Sequence, residues 1–437
     1  MQGDAGVATK ADNMNSLDTA AGGGLVDRRQ LLGRCFALGA GAAASGLAMT
    51  GQSRADGDLA QWVTQAGETA RAYGMPAPEE GYVQRAVIQL YPGLAPEYGF
   101  SGTPLQYLRG SITPNGLHFE VHHGGRPQLN AYDHRLMIHG LVERPLQFDL
   151  AALDRYPMVS NVHFLECAGN SGRNAFDSGP FQITIDQLHG LVSNAEWTGV
   201  PLSVLLDEAG VKPEAKWVVA IGDDGPGMAR SIPMEKMMGD GILALYQNGE
   251  RLRPEQGYPM RLLLPGYEGN MNVKWVTSLF VTDNPAHTKS ESGEYSELLA
   301  DGQVAQFTFG MGVKSLITHP SALMTMQGPG FYEVSGLAWS GAGRIARVEV
   351  SADGGQSWAD AELAGPVLSQ ALTRFRIPWV WNGAPTDLLS RAIDETGAVQ
   401  PARTAWKAKY APSNYLHYNA IQPWRITAEG EVENVYL

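Results

Sequence analysis

The run His163-Phe164-Leu165-Glu166-Cys167-Ala168-Gly169-Asn170 is the stretch of this sequence best equipped for chemistry. The chain has two cysteines, and Cys35 lies in a segment that reads as a removable export signal. Cys167 is then the thiol that the mature protein keeps. A lone thiol in an exported protein has no internal disulfide partner, so it is inert, paired with another chain, or used for chemistry. An isolated cysteine is most often a small buried apolar residue. Here the flanking residues point to chemistry. A β-like apolar run delivers the sulfur, and Ala-Gly-Asn makes a tight turn where a large group can approach the backbone. That is how a metal thiolate is presented.

At 437 residues the chain exceeds one ordinary core, so two domains after a leader are expected. A hydrophobic share of 44% and a charged share of 18% are those of a globular protein. The net charge of −13 argues against nucleic acid as a partner, since phosphate repulsion would go unopposed. No apolar run of spanning length follows the leader, so no membrane span is expected.

Residues 1–26 are polar, small and Gly/Ala-rich, which predicts disorder. Asp27-Arg28-Arg29-Gln30-Leu31-Leu32 follows, then a moderately apolar stretch to Met49 and the small-x-Ala site Ser53-Arg54-Ala55. This is similar to a twin-arginine signal, so residues 1–55 are expected to be a leader for export to the periplasm. The alternative is an ordinary secretory signal with a chance arginine pair. The Gly/Ala-diluted apolar region and long polar extension favour the twin-arginine route, which carries folded proteins. Residues 1–55 hold five basic and four acidic side chains, leaving the mature chain near −14.

Residues 56–110 show helical apolar spacing and then proline punctuation, and are expected to form an arm with few strands. Residues 111–304 alternate short strands and short helices. Arg135–Gly140, Trp217–Ile221 and Arg261–Leu264 read as strands, the last stopped by Pro265-Gly266. Pro201–Gly210 reads as a helix, with proline in the first turn, Leu202, Leu205, Leu206 and Ala209 on one face, and a terminating glycine. No glycine-rich phosphate loop opens a helix after a strand, so a dinucleotide fold is not expected. The fold class expected is α+β. Residues 305–437 change character. Phe331–Trp339 and Ile345–Ser351 alternate at period two, and Asp353-Gly354-Gly355 makes a hairpin turn before Trp358. Phe375–Trp379 and Ser390–Asp394 add strands, and the set predicts an immunoglobulin-like β-sandwich.

The Cys167 run, Asn272-Val273-Lys274-Trp275 and the trailing sandwich together resemble the sulfite oxidase family, whose enzymes hold one molybdenum on a pyranopterin dithiolene and one protein cysteine. The resemblance covers essentially everything after the leader. Three long stretches point within that family to the molybdenum subunits of sulfane dehydrogenases of the periplasmic sulfur-oxidising system. They are Leu188–Leu191 with Glu196–Leu202, Tyr246–Arg251 through Gly257–Gly266, and Gly328–Glu333 through Ser340–Arg344. The resemblance implies a molybdopterin domain followed by an immunoglobulin-like dimerisation domain, with molybdenum and molybdopterin as cofactor. Cys167 becomes the metal ligand, its thiolate the softest side chain available to such a metal.

The resemblance also implies the neighbours of the cofactor. Arg261 and Lys274 match its phosphate ligands, Asn272 and Val273 its backbone contacts, and His123 a histidine that touches the pterin. An acidic pterin contact falls on Asp223 or Asp224, with Asp223 placed among the cofactor-binding residues. Gln256 stands where relatives often have histidine. His122 and His123 suggest a second metal only superficially, because adjacent side chains on a strand diverge. Tyr295 matches an active-site tyrosine able to donate a hydrogen bond to a substrate oxygen.

Departures from the family pattern bear on the substrate. Enzymes of free sulfite line the pocket with arginines, because a desolvated dianion needs several charge-assisted bonds. Here Val121 and Gly172 stand at two of those positions, Arg173 comes one residue late, and His417 falls near a third. The implied substrate is therefore the sulfane sulfur of a cysteine persulfide on a carrier protein, oxidised by oxygen-atom transfer. The chain has no Cys-x-x-Cys-His haem site and no cysteines for an iron–sulfur cluster. Electrons must leave to another protein. The resemblance implies a c-type cytochrome subunit, in a heterotetramer built on a homodimer of this chain. Tyr410, Tyr415, Tyr418 and Trp424 would serve such a contact if exposed, or the core if buried. Three other readings compete: a sulfite:cytochrome c oxidoreductase, a methionine sulfoxide reductase, and a non-catalytic binding module with an empty pocket.

Overall fold

The computed structural model describes residues 19–27, 66–88 and 99–437. Residues 28–55 of the expected leader, and the helical spacing expected just after them, lie outside the described residues. The chain divides into two compact units. Among described residues the first comprises Asp27 and 66–84, with one turn of 3-10 helix at Pro78–Glu80 opened by its proline. The second comprises residues 19–26 and 85–437, and everything below concerns it.

Its first half is built on two sheets, one antiparallel throughout and one mixed, with Val276–Thr282 parallel to Leu136–Gly140. One runs in the order Glu250–Arg251, Ile242–Gln247, Val192–Pro201, Val159–Glu166, with Arg261–Leu263 also paired to Ile242–Gln247. The other runs Leu146–Phe148, Leu136–Gly140, Val276–Thr282, Trp217–Gly222, Ala229–Pro233. Leu136, Ile138, Val218 and Ala220 from one sheet share a core with Val200, Leu243, Leu245 and Leu262 from the other. The expected helix forms over Leu202–Ala209, burying the four apolar residues that share its face. Gly210 caps it at φ 70, where its N–H reaches Leu206 O, a conformation open to glycine at little cost. Helices are fewer and shorter than the alternation in the sequence predicts, and the fold is a strand-rich α+β. Ala86–Val87 and Phe100–Gly102 join Glu120–Val121 in a small third sheet.

The second half is the expected sandwich. Lys314–His319, Gly330–Trp339, Thr373–Trp381 and Glu362–Leu363 form one sheet. Ala359–Asp360, Ile345–Ser351, Thr386–Asp394, Trp424–Ile426 and Val432–Asn434 form the other. Trp339, Trp379, Phe375 and Trp424 are fully enclosed between them. Tyr410, Tyr418 and Trp424 are buried and only Tyr415 is exposed, so the C-terminal aromatics are core and not a surface strip. Trp406 explains much of this, since its ring centroid lies 4.7 Å from that of Tyr410, tilted, and 4.8 Å from that of Tyr418, edge to face. No helix among the described residues is long and apolar enough to cross a membrane.

Polar bonds stitch the two halves together at Glu166. Its buried carboxylate accepts from Lys314 Nζ at 2.9 Å and Trp339 Nε1 at 2.7 Å, both on the sandwich, and from Asn170 Nδ2 at 2.9 Å. Removing one partner of a buried ion pair costs about 3–5 kcal/mol, because the other charge is left unpaired. Glu166→Ala is therefore expected to lower the stability of the cofactor-free chain by roughly that amount. Urea unfolding checks it, and an unchanged midpoint would mean that Lys314 has found another counter-charge.

Candidate active site

Cys167 begins the turn that ends its strand. Its N–H donates to Leu191 O at 3.0 Å, and the N–H of Asn170 returns to Cys167 O at 2.9 Å. Asn170 also accepts from Leu191 N–H at 3.1 Å, and Ser171 follows in the left-handed region at φ 67. The Ser171 hydroxyl sits 2.6 Å from His189 Nδ1 and accepts from Lys314 Nζ at 2.8 Å. The turn is thus held by its own polar side chains. Opposite it, Gly269 packs so close that a Cβ would lie 3.3 Å from Cys167 Cα. Burial pushes the thiol up to about 12, with the Glu268 and Glu166 charges adding to the effect.

The sulfur opens into a cleft. Cys167, His123, Gln256, Arg261, Asn272, Val273, Lys274 and Tyr295 all line it. Asp223 does not. Its side chain is half exposed, 4.0 Å from His134 Nδ1, whereas Asp224 reaches the cleft and caps the Met228 N–H at 2.9 Å. The strand ends at Gly222, and the turn after it sends the two carboxylates to different sides.

One end of the cleft is cationic. Arg261 and Lys274 face each other across an isolated antiparallel bridge. Arg261 donates to Gln256 O at 3.1 Å and Asn272 O at 3.0 Å. Lys274 Nζ donates to Val121 O, Glu255 O and His122 Nδ1, each at 3.0 Å. Gln256 Nε2 donates to Phe119 O at 2.9 Å, which fixes the carbonyl that receives Arg261. Gly257 lies at φ 103, where a Cβ would meet both cationic side chains at 3.0–3.1 Å. Burial lowers Arg261 to about 9. Burial, and then the Arg261 charge, lower Lys274 to about 7. Among the described residues neither cation forms an ion pair with a carboxylate. His122 turns to Glu120 and Lys274, and His123 turns to Tyr295, so the adjacent histidines do diverge.

At the other end, Tyr295 Oη lies 3.0 Å from His123 Nε2. Burial holds the phenol well above its ordinary value, and burial lowers the imidazole. Beneath them lies a charged network that the sequence reading misses. Arg230 donates to both Glu291 oxygens, at 2.9 and 3.2 Å, pairs with Glu268 at 3.2 Å, and stacks 4.8 Å below the Tyr295 ring. His417 sits between Glu268 at 3.0 Å and Glu297 at 3.3 Å. Burial opposes charging that ring, yet its bonds to Glu268 and Glu297 carry it up to about 10. Its backbone N–H also donates to Ala168 O at 2.8 Å, beside the cysteine. Only Glu268 has a local signal, an acid flanked by Gly266 and Gly269 in an otherwise apolar stretch.

Residues 123–290 match the family model of the oxidoreductase molybdopterin binding domain, and residues 305–423 that of the Mo-co oxidoreductase dimerisation domain. The crystal structure of the sulfane dehydrogenase SoxCD from Paracoccus pantotrophus is similar at a TM-score of 0.84 and 45% identity, covering 87% of this chain and 98% of that one. The NADH nitrate reductase of Ulva prolifera is 30% identical over 346 residues, 68% of this chain and 39% of the relative. Nitrate reductase [NADH] 1 of Arabidopsis thaliana is 30% identical over 380 residues, 75% and 40% respectively. The chain spans about two fifths of the length of these nitrate reductases.

The residues present fit a molybdenum pterin. Two buried cations without a carboxylate would suit its phosphate. Asn270 Nδ2, on the cleft wall, is a buried donor without a hydrogen-bond partner among the described residues. No group of three His, Cys, Asp or Glu side chains among the described residues is set to hold a metal by itself, so further donors must come with the cofactor.

Two outcomes follow. Lys274→Met and Arg261→Met are each expected to cut molybdenum content at least about tenfold in a chain that stays folded, because one charge-assisted phosphate contact contributes about 1.5–3 kcal/mol. Metal analysis beside circular dichroism checks this. In the cofactor-free chain, Lys274 holds no proton above about 7, whereas the unfolded chain binds one up to its ordinary 10.5. Stability from this group therefore rises as pH climbs through that window. Urea midpoints at the two ends should show a rise in the parent chain that is missing from Lys274→Met; equal slopes would mean that another group titrates.

Proposed function

Because the chain belongs to the sulfite oxidase family of molybdenum enzymes, we propose that it oxidises the outer sulfane sulfur of a cysteine persulfide held on a carrier protein. The chain is an oxidoreductase that binds molybdenum on molybdopterin. That cofactor supplies two-electron redox chemistry and transfer of a water-derived oxygen atom to sulfur.

The observation that carries the substrate assignment is the absence of an uncommitted cation beside Cys167 among the described residues. Val121 and Gly172 replace two expected arginines. Arg173 packs over the Phe181 ring, 5.9 Å from its centroid, and does not line the cleft. Arg230 is neutralised by Glu291 and Glu268, and His417 lies between two glutamates. Leu165, Met228, Asn270 and Tyr295 form the wall instead. A free dianion would find little to replace its hydration there, whereas a monoanionic sulfur on a protein thiol needs less.

The chain's own groups then divide the work. Cys167 Sγ gives up its proton when a metal cation binds, since a buried thiolate needs a counter-charge. A neutral His123 with its proton on Nε2 donates to Tyr295 Oη, leaving the phenol proton for a substrate oxygen. Burial favours both neutral forms. Each turnover consumes one water and releases two protons and two electrons. Three turnovers convert the persulfide into an S-sulfonate. Electrons pass to a c-type cytochrome subunit, and the dimerisation domain supports a homodimer within a heterotetramer. Residues 1–55 act as a twin-arginine leader, so the site of action is the periplasm.

Purified molybdenum-loaded protein, given a c-type cytochrome acceptor, should reduce it faster with persulfidated carrier than with sulfite. Robust turnover of sulfite with none on the carrier would establish a sulfite:cytochrome c oxidoreductase instead. Val121→Arg should move the preference toward sulfite by about tenfold or more, the effect of one charge-assisted bond.

A further inference from the structure

The composition of residues 1–26 predicts disorder, yet residues 19–26 are folded onto the sandwich. Leu25 is 0% exposed and Val26 3%, and Leu25 joins the sandwich core. A tight hairpin brings Thr19 beside Val26, with Ala20 N–H donating to Leu25 O at 2.8 Å.

The contact is a strand addition. Thr373–Trp381 is paired along one side with Gly330–Trp339, but on the other side Glu362–Leu363 covers only Phe375 and Arg376. The remaining edge is taken by the N-terminal segment. Leu25 bridges Trp379, and Val26 N–H donates to Pro378 O at 3.0 Å. Side chains lock the register. Trp379 Nε1 donates to Gly23 O at 2.7 Å, and Gly22 N–H donates to Ser357 Oγ at 2.7 Å. The fit is specific to glycine. Gly23 and Gly24 lie at φ 69 and 91, and a Cβ on either would sit 2.0 Å from a carbonyl oxygen, that of Ala352 or Val380. Covering an open edge by backbone pairing needs the sheet to exist first.

This segment lies directly before Asp27-Arg28-Arg29. A sequence discarded with the leader has no part in the mature enzyme, so a close fit to the mature fold calls for a role before export. We infer that residues 19–26 are a latch by which the folded sandwich holds the leader, so that release of the hairpin precedes export. The latch rests on the export reading of residues 1–55, but its docking step does not.

Hydrogen exchange on the full-length chain tests the docking. The amides of Ala20 and Val26 should exchange at least tenfold slower than in a free peptide of residues 19–27. Ser357→Ala and Trp379→Phe, which alter the groove and leave the leader sequence intact, should reduce that protection while molybdenum content stays unchanged. Ser357 is half-buried in a turn outside the sandwich core, so its loss of one hydroxyl leaves a folded variant even if Trp379→Phe fails. Free-peptide exchange rates in the parent chain would overturn the docking. In pulse-chase export, the undocked variants should be processed with at least a twofold shorter half-time. An unchanged half-time in variants whose hairpin has come free would overturn the latch. Absence of processing in every chain would sink the export reading and the latch together, while the exchange result still decides the docking; the substrate assignment is untouched by either arm.

Discussion

Two positive charges sealed from water must be neutralised by something, and in this protein no carboxylate among the described residues does it. Arg261 and Lys274 are held by backbone carbonyls and one imidazole, which orient them without cancelling their charge. Bare, the seat is electrostatically costly, and burial lowers both cations toward neutrality. Filled by a phosphate, the same geometry becomes several charge-assisted bonds. A phosphate-bearing cofactor seated there would complete the fold's charge balance as well as supply its chemistry. The seat also selects what fills it, because a neutral group leaves both charges unpaired.

The opposite end of the cleft is designed the other way. There every cation is matched before any ligand arrives. Arg230 lies between Glu291 and Glu268, and His417 between Glu268 and Glu297. That network supports Tyr295 from below and holds the backbone at Ala168, so it fixes the sulfur and the phenol without presenting charge to the substrate. Lys314 and Glu166 do the same from the sandwich side. Uncompensated and compensated cations are thus separated by position along one cleft.

Much of this was legible in the sequence because it is local. The Cys-Ala-Gly-Asn turn, the helix between Pro201 and Gly210, and the alternating strands after residue 330 each declare themselves within ten residues or so. Asp224 was harder to separate from Asp223, since one step along a turn changes which side a carboxylate takes. Arg230, Glu268, Glu291, Glu297 and His417 were not legible as a group. They come from separate elements, and, Glu268 apart, nothing in their immediate neighbours distinguishes a buried paired charge from a solvated one. Residues 19–26 failed for the opposite reason. Their composition is that of a disordered segment, and only the glycine-shaped groove at Ala352 and Val380 gives them a fixed place.

The stretch joining Arg261 to Lys274 carries one more consequence. Its two ends carry the buried cations Arg261 and Lys274, and its middle, at Gly269 and Asn270, closes on Cys167. One continuous piece of backbone therefore works as a ruler between the two ends of the cleft. Surface loops elsewhere can lengthen or shorten over evolutionary time with small effect. An insertion or deletion within this ruler would shift one terminus of the ligand relative to the other, so divergence here should proceed by residue replacement at constant length.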